Sequence, residues 1–181
     1  MAKFYDSINA TLQEFISNQK IFFVSTAAET GRINLSPKGM DSFRIVDENK
    51  VLWLNLTGSG NETAAHIQQV NRMTIMFCAF EGNPLILRLY GTARAIHTQD
   101  QDWDQYYAHF NATAGARQIF EMHVESVQTS CGFAVPLMDY QEDRDILKNW
   151  AEKKGEKAIK EYWEEKNVTS IDGLPTGIFD R

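Results

Sequence analysis

The chain has 181 residues, 43% of them apolar, and a formal net charge of −6 at pH 7. This is enough chain for one domain with a real core. The acidic balance excludes a general nucleic-acid binder, which needs basic patches to meet phosphates, and no apolar run approaches the ~20 residues of a membrane span.

In chain order, Phe4, Ile8, Leu12, Phe15 and Ile16 recur at helical spacing and predict an amphipathic helix over 4–19. Residues 20–28 (Ile21-Phe22-Phe23-Val24-Ser25-Thr26) are β-branched and aromatic and predict a strand. Glu29-Thr30-Gly31 turns the chain, and 32–36 returns as a second strand, which Pro37 ends by removing a ladder donor. Short strands follow over 43–46 and 51–56. A helix over 62–70 comes next. The nearly all-apolar run 72–80 predicts a strand covered on both faces. Residues 85–97 form a long strand with Leu87, Leu89, Gly91 and Ala93 on one face and Arg88, Tyr90, Thr92 and Arg94 on the other. A short helix over 101–110 precedes a strand over 118–132, where Phe120, Met122 and Val124 alternate with Glu121, His123 and Glu125. Two charged amphipathic helices, 142–154 and 156–166, meet at Gly155, and a turn-rich tail ends the chain. Six to eight closely spaced strands predict a mainly β fold with flanking helices, a closed or partly closed antiparallel barrel. The barrel domain is expected over 1–138 and a C-terminal helical extension, packed on the barrel or on a partner, over 139–181.

The stretch with the most chemistry is Gly58-Ser59-Gly60-Asn61-Glu62-Thr63-Ala64-Ala65-His66, between a strand and a helix. Glycines let backbone N–H groups approach a ligand, and the first helical turn offers free donors and partial positive charge. An anion, most often a phosphate, suits such a place. The same residues also fit an ordinary N-capped helix, with Asn61 or Ser59 as the cap. Lys38 reads equally as a ligand cation or a solvated lysine. Arg88 and Arg94 fit a wet strand face, and His66 a helix-face or interface residue. The four histidines have no serine or cysteine placed to form a triad, so no catalytic residue is assigned. Cys78 and Cys131 lack metal-ligand spacing and read as buried reduced thiols; no metal site is expected. The first six residues lack the apolar stretch of a secretion signal, and a soluble cytoplasmic protein is expected.

Four local features carry a resemblance: Asn34-Leu35-Ser36-Pro37-Lys38-Gly39-Met40-Asp41, Trp53-Leu54-Asn55-Leu56-Thr57-Gly58-Ser59, the apolar strand Met73 to Phe80, and Leu87-Arg88-Leu89-Tyr90-Gly91-Thr92-Ala93. In order and spacing, over roughly 15–130, the chain resembles the FMN-binding split-barrel family related to pyridoxamine 5′-phosphate oxidase. The resemblance implies a homodimer with FMN at the interface between barrels and a small-molecule substrate or electron donor. It implies that Asn34, Leu35 and Ser36 lie along the flavin ring and that Lys38 stands near the ligand. It implies that Leu54 and Asn55 hold the flavin and ribityl chain, and that Ser59, Gly60, Asn61 and Thr63 hold the phosphate. Where the oxidases follow Gly-Ser with two basic residues, this chain has Gly60-Asn61. The site is therefore expected to rely on N–H donors, hydroxyls and the helix dipole rather than on side-chain charge. Leu85-Ile86 replaces a polar pair of the family, with Arg88 as a substitute cation. The oxidases' basic C-terminal segment is missing, which argues against activity on pyridoxamine phosphate. The leading expectation is an FMN-dependent oxidoreductase. A non-enzymatic flavin carrier or sensor, or a split barrel that binds F420 or haem, remain as alternatives.

Overall fold

The computed structural model describes residues 2–180. Eight strands build one antiparallel sheet: β1 (Lys3–Tyr5), β2 (Phe22–Thr26), β3 (Asn34–Lys38), β4 (Phe43–Asp47), β5 (Lys50–Leu56), β6 (Arg72–Cys78), β7 (Ile86–His97) and β8 (Ala116–Ser130). The hydrogen-bonded order is β3-β2-β6-β7-β8-β5-β4, with β1 added on β8. Four helices flank it: α1 (Ala10–Ser17), α2 (Glu62–Gln69), α3 (Trp103–Tyr107) and α4 (Ile146–Lys166).

The sheet is rolled. Phe43 on β4 and Phe22 on β2 lie near opposite ends of the strand order, yet their rings are 5.1 Å apart. Phe77 on β6 packs on both, at 5.7 and 5.2 Å. This aromatic cluster, with Trp53, Leu87, Leu89 and Phe120, fills the interior. Among the described residues no ladder joins β3 to β4, so the barrel is held across that gap by side chains alone. The roll is a split barrel, as the family resemblance implied and in line with the partly closed barrel that the strand spacing predicted. A second cluster outside it packs Leu52, Leu54, Ile96 and Ile119 against α3 and Phe110.

Four sequence expectations change. Phe4 is not helical: residues 3–5 pair with Val127–Thr129, and α1 begins at Ala10, where the Asn9 side chain caps the N–H of Leu12 at 3.1 Å. Pro37 does not end its strand; it pairs opposite Phe23. β3 is an edge strand, where a missing N–H costs no ladder bond. The first C-terminal helix starts at Ile146 rather than 142. Gly155 breaks α4 where expected, with φ 73° and ψ 162°. Cys78 is buried, but Cys131 is exposed, because it follows the last residue of β8.

Among the described residues no helix is long and apolar enough to cross a membrane.

Candidate functional site

The end of β5 leads into loop 57–61 and then α2, the strand-to-helix step that the sequence marked. Across from this loop runs β3. Its alternation turns Asn34, Ser36 and Lys38 inward, half-buried, and Leu35 outward, 64% exposed. Between them lies a cleft of about 450 Å³. It is lined by Asn34, Ser36 and Lys38 from β3, Asn55 from β5, Gly58 to Asn61 from the loop, Glu62, Thr63 and His66 from α2, and Arg117 from β8. Ile171 and Arg32 form its rim.

Eight of the residues singled out by sequence thus share one cleft: Asn34, Ser36, Lys38, Asn55, Ser59, Gly60, Asn61 and Thr63. Three stand elsewhere. Leu35 points away from the cleft, and Leu54 is buried in the outer cluster. Arg88 lies on β7, where its Nη1 donates to the Ser130 hydroxyl at 3.3 Å.

The loop's donors are free. The N–H groups of Ser59 and Gly60 have no acceptor among the described residues. Asn61 does not cap α2 through its side chain. Its amide is turned inward and pairs with Gln118, which donates from Nε2 to Asn61 Oδ1 at 2.6 Å. The first-turn donors of α2 are left facing the cleft without the usual side-chain acceptor. Thr63 Oγ1 accepts from Asn34 Nδ2 at 3.2 Å, tying α2 to β3.

Arg117 is the residue that sequence reading missed. It is 3% exposed and sits at the start of β8 beneath the loop. Its Nη1 donates to Gly60 O at 3.0 Å and to Asn167 Oδ1 at 2.7 Å; its Nη2 donates to Asn55 Oδ1 at 2.7 Å. Its Nε has no partner. All three acceptors are neutral, and among the described residues no carboxylate pairs with it. A buried cation without a counter-charge is costly, and burial pulls its pKa down to about 9. The strand predicted over 118–132 stops one residue short of Arg117. The contacts of Arg117 with Asn55, Gly60 and Asn167 all span 50 residues or more. No local pattern announces that. The expectation that this site lacks side-chain charge is corrected: the charge comes from β8 rather than from the loop.

Lys38 is the second cation of the cleft. Its Nζ lies over the Trp53 ring, 4.8 Å from the centroid. Burial, and then the Arg117 charge, lower its pKa to about 8. His66 is 1% exposed. Its Nδ1 is 3.1 Å from the Thr26 hydroxyl, and its Nε2 has no partner. It is a buried residue on the side of α2 that lines the cleft. Two positive centres, free loop donors and orphaned buried nitrogens form an anion-receiving cleft. Among the described residues no cluster of three metal-ligating side chains occurs.

Beyond Lys38 a larger cavity of about 840 Å³ opens, with Ile21, Phe80, Met138, Leu147 and Trp150 among its walls. Lys38 lines both spaces.

Comparison with known proteins agrees with this arrangement. The chain is 37% identical over 195 aligned residues to the pyridoxamine 5′-phosphate oxidase family protein ustO of Aspergillus flavus, covering 97% of this chain and 78% of that one. Among solved structures it resembles HupZ of Group A Streptococcus, at a TM-score of 0.53 and 23% identity, over 66% of this chain and 91% of that one. It also resembles a candidate pyridoxamine 5′-phosphate oxidase of Lactobacillus delbrueckii, at a TM-score of 0.53 and 15% identity, over 68% and 94% of the two chains. At such identities these two likenesses speak for the fold alone. The sequence model described as pyridoxamine 5′-phosphate oxidase matches residues 8–131, from the start of α1 through β8, and the chain therefore belongs to that family.

Proposed function

We propose that this protein binds FMN in the cleft between β3 and the Gly58–Asn61 loop and acts as a flavin-dependent oxidoreductase. The observation that carries the reading is Arg117, a buried guanidinium without a counter-ion, beside a loop of free N–H donors. A phosphate monoester supplies the missing negative charge and accepts from those donors. At the other end of the cleft, Lys38 offers a cation to the electron-rich edge of a flavin ring. A ligand with a phosphate and an electron-accepting ring can use both cations of the cleft. Asn34, Ser36 and Asn55 offer amide and hydroxyl groups between them.

When bound, the flavin supplies the two-electron chemistry, and the protein supplies orientation, electrostatics and exclusion of water. Lys38 reaches both the cleft and the apolar cavity beyond it. That cavity suits a largely apolar small molecule as the substrate or electron donor. Ile33 and Leu35 are 74% and 64% exposed on the edge strand beside the cleft. They suit a second copy of the chain, in a homodimer whose interface borders the flavin. The free thiols support a reducing, cytoplasmic setting.

The test is reductive turnover. FMN-loaded protein is mixed anaerobically with NADH, NADPH or dithionite and followed at the flavin band. Bleaching by a nicotinamide faster than that of free FMN supports an oxidoreductase. Bleaching by dithionite alone supports a flavin carrier instead.

A further inference from the structure

Residues 146–180 lie beyond the family-matching part of the chain, yet they reach the cleft. Trp163 Nε1 donates to Thr57 Oγ1 at 2.9 Å, just before the loop. Asn167 is fully buried and uses both ends of its amide. Its Oδ1 accepts from Arg117 and its Nδ2 donates to Gly58 O at 3.2 Å. The Thr176 hydroxyl fixes it by donating to its backbone carbonyl at 2.7 Å. Asn167 therefore ties Arg117 to the near edge of the loop, while Gly60 O ties it to the far edge.

The acceptor chemistry is selective. Aspartate at 55 or 167 would satisfy the same guanidinium nitrogens in nearly the same volume, and would cancel the charge. The chain uses asparagine at both positions. The acids nearby are occupied elsewhere: Glu62 accepts from the Ile171 N–H at 3.1 Å, and Asp172 pairs with Arg32. We infer that Asn167, with Asn55, is a positioning residue that keeps Arg117 uncancelled for a phosphate, so that the C-terminal segment sets preference for phosphorylated over unphosphorylated ligands. The inference rests on the phosphate part of the reading above. It adds that selectivity lies in two neutral amides, one of them outside the barrel.

The experiment compares wild type, Asn167→Asp and Asn55→Asp in two assays: fluorescence titration with FMN and with riboflavin, and the melting temperature of flavin-free protein with and without inorganic phosphate. In both variants FMN affinity is expected to fall on the order of 10- to 100-fold, the loss of one charge-assisted phosphate contact. For Asn167→Asp riboflavin affinity is expected to stay within about threefold. For Asn55→Asp, at a residue that lines the flavin cleft itself, the readout is a fall in the ratio of FMN to riboflavin affinity. Phosphate is expected to raise the melting temperature of wild type only. FMN bound as tightly by Asn167→Asp as by wild type overturns the inference while leaving flavin binding intact. Wild type that binds neither flavin overturns the flavin reading. The phosphate-dependent melting shift then decides the inference alone, and a wild type that phosphate does not stabilise sinks it. If Asn167→Asp does not fold, Asn55→Asp, which breaks no recorded bond of its Nδ2, decides by the same criteria.

Discussion

Lys38 lies over the face of Trp53, with Nζ 4.8 Å from the ring centre, and lines both the cleft and the cavity beyond it. The contact is a cation on an aromatic face in a largely dry site. It does not cancel the cost of burial, which holds the pKa near 8 against the usual 10.5. The unfolded chain therefore keeps this proton to higher pH than the folded one. Between about pH 8 and 10.5 unfolding takes up a proton, and stability rises with pH across that window. Below about 8 the cost is fully present. Urea unfolding of flavin-free protein is expected to show the rise. Lys38→Met should remove the rise between about pH 8 and 9, while Arg117, whose pKa burial lowers to about 9, sustains a rise above that. A bound anion raises the Lys38 pKa, so with FMN the rise should shrink. A wild-type profile flat from pH 8 to 10 would contradict this picture of Lys38.

The Asn61 side-chain amide is turned to Gln118, and the two amides satisfy each other in the interior. Asn61→Ala leaves Gln118 unpaired and should cost about 1–3 kcal/mol in stability, with similar losses for FMN and riboflavin. Thr63→Val removes the acceptor for Asn34 at the foot of α2. It should weaken FMN more than riboflavin, by several-fold. Parallel chemical denaturation and flavin titration separate the two outcomes.

Gly91 sits where the β7–β8 register shifts, between Tyr90 and Gly91. A Cβ there would stand 1.9 Å from the His123 carbonyl oxygen, and a backbone atom cannot step aside as a side chain can. Gly91→Ala is expected to destabilise by more than about 3 kcal/mol or to prevent folding. A melting temperature within a few degrees of wild type would show that the bulge relaxes freely.

Trp163 is 5% exposed and joins α4 to Thr57 through its indole N–H. Trp163→Phe keeps most of the packing and should cost about 1–2 kcal/mol; Trp163→Ala should cost about 3–5 kcal/mol. Both should loosen the loop and weaken FMN. Hydrogen exchange at residues 57–61 reads the loosening directly.

The strands, the helix after the glycine loop and the break at Gly155 were legible because each rests on a local signal: period-2 alternation, turn residues, or a residue that tolerates positive φ. Four motifs in order were enough to suggest the split barrel. β1 was not legible, because three residues beside a helical-looking stretch carry too little pattern, and β8 recruits them from far along the chain. The side-chain roles were harder. Asn61 has the right type and place for a cap, and only its contact with Gln118, 57 residues on, shows that its side chain is used elsewhere. Arg117 lies just outside the predicted strand, and its partners Asn55, Gly60 and Asn167 are all 50 residues or more away in the chain. His66 was legible as a helix residue, but its burial was not, because the Thr26 contact that defines it crosses 40 residues. Contacts of that range leave no trace in periodicity.

The most direct measurement of the proposed function is the absorption spectrum of purified protein after incubation with FMN and removal of the excess by size exclusion. Flavin bands that co-elute with a dimer-sized peak, retained by wild type and lost in Arg117→Met, are the expected result. Protein that elutes without flavin would contradict it and would turn the search to F420, while a Soret band in protein as purified would move it to haem.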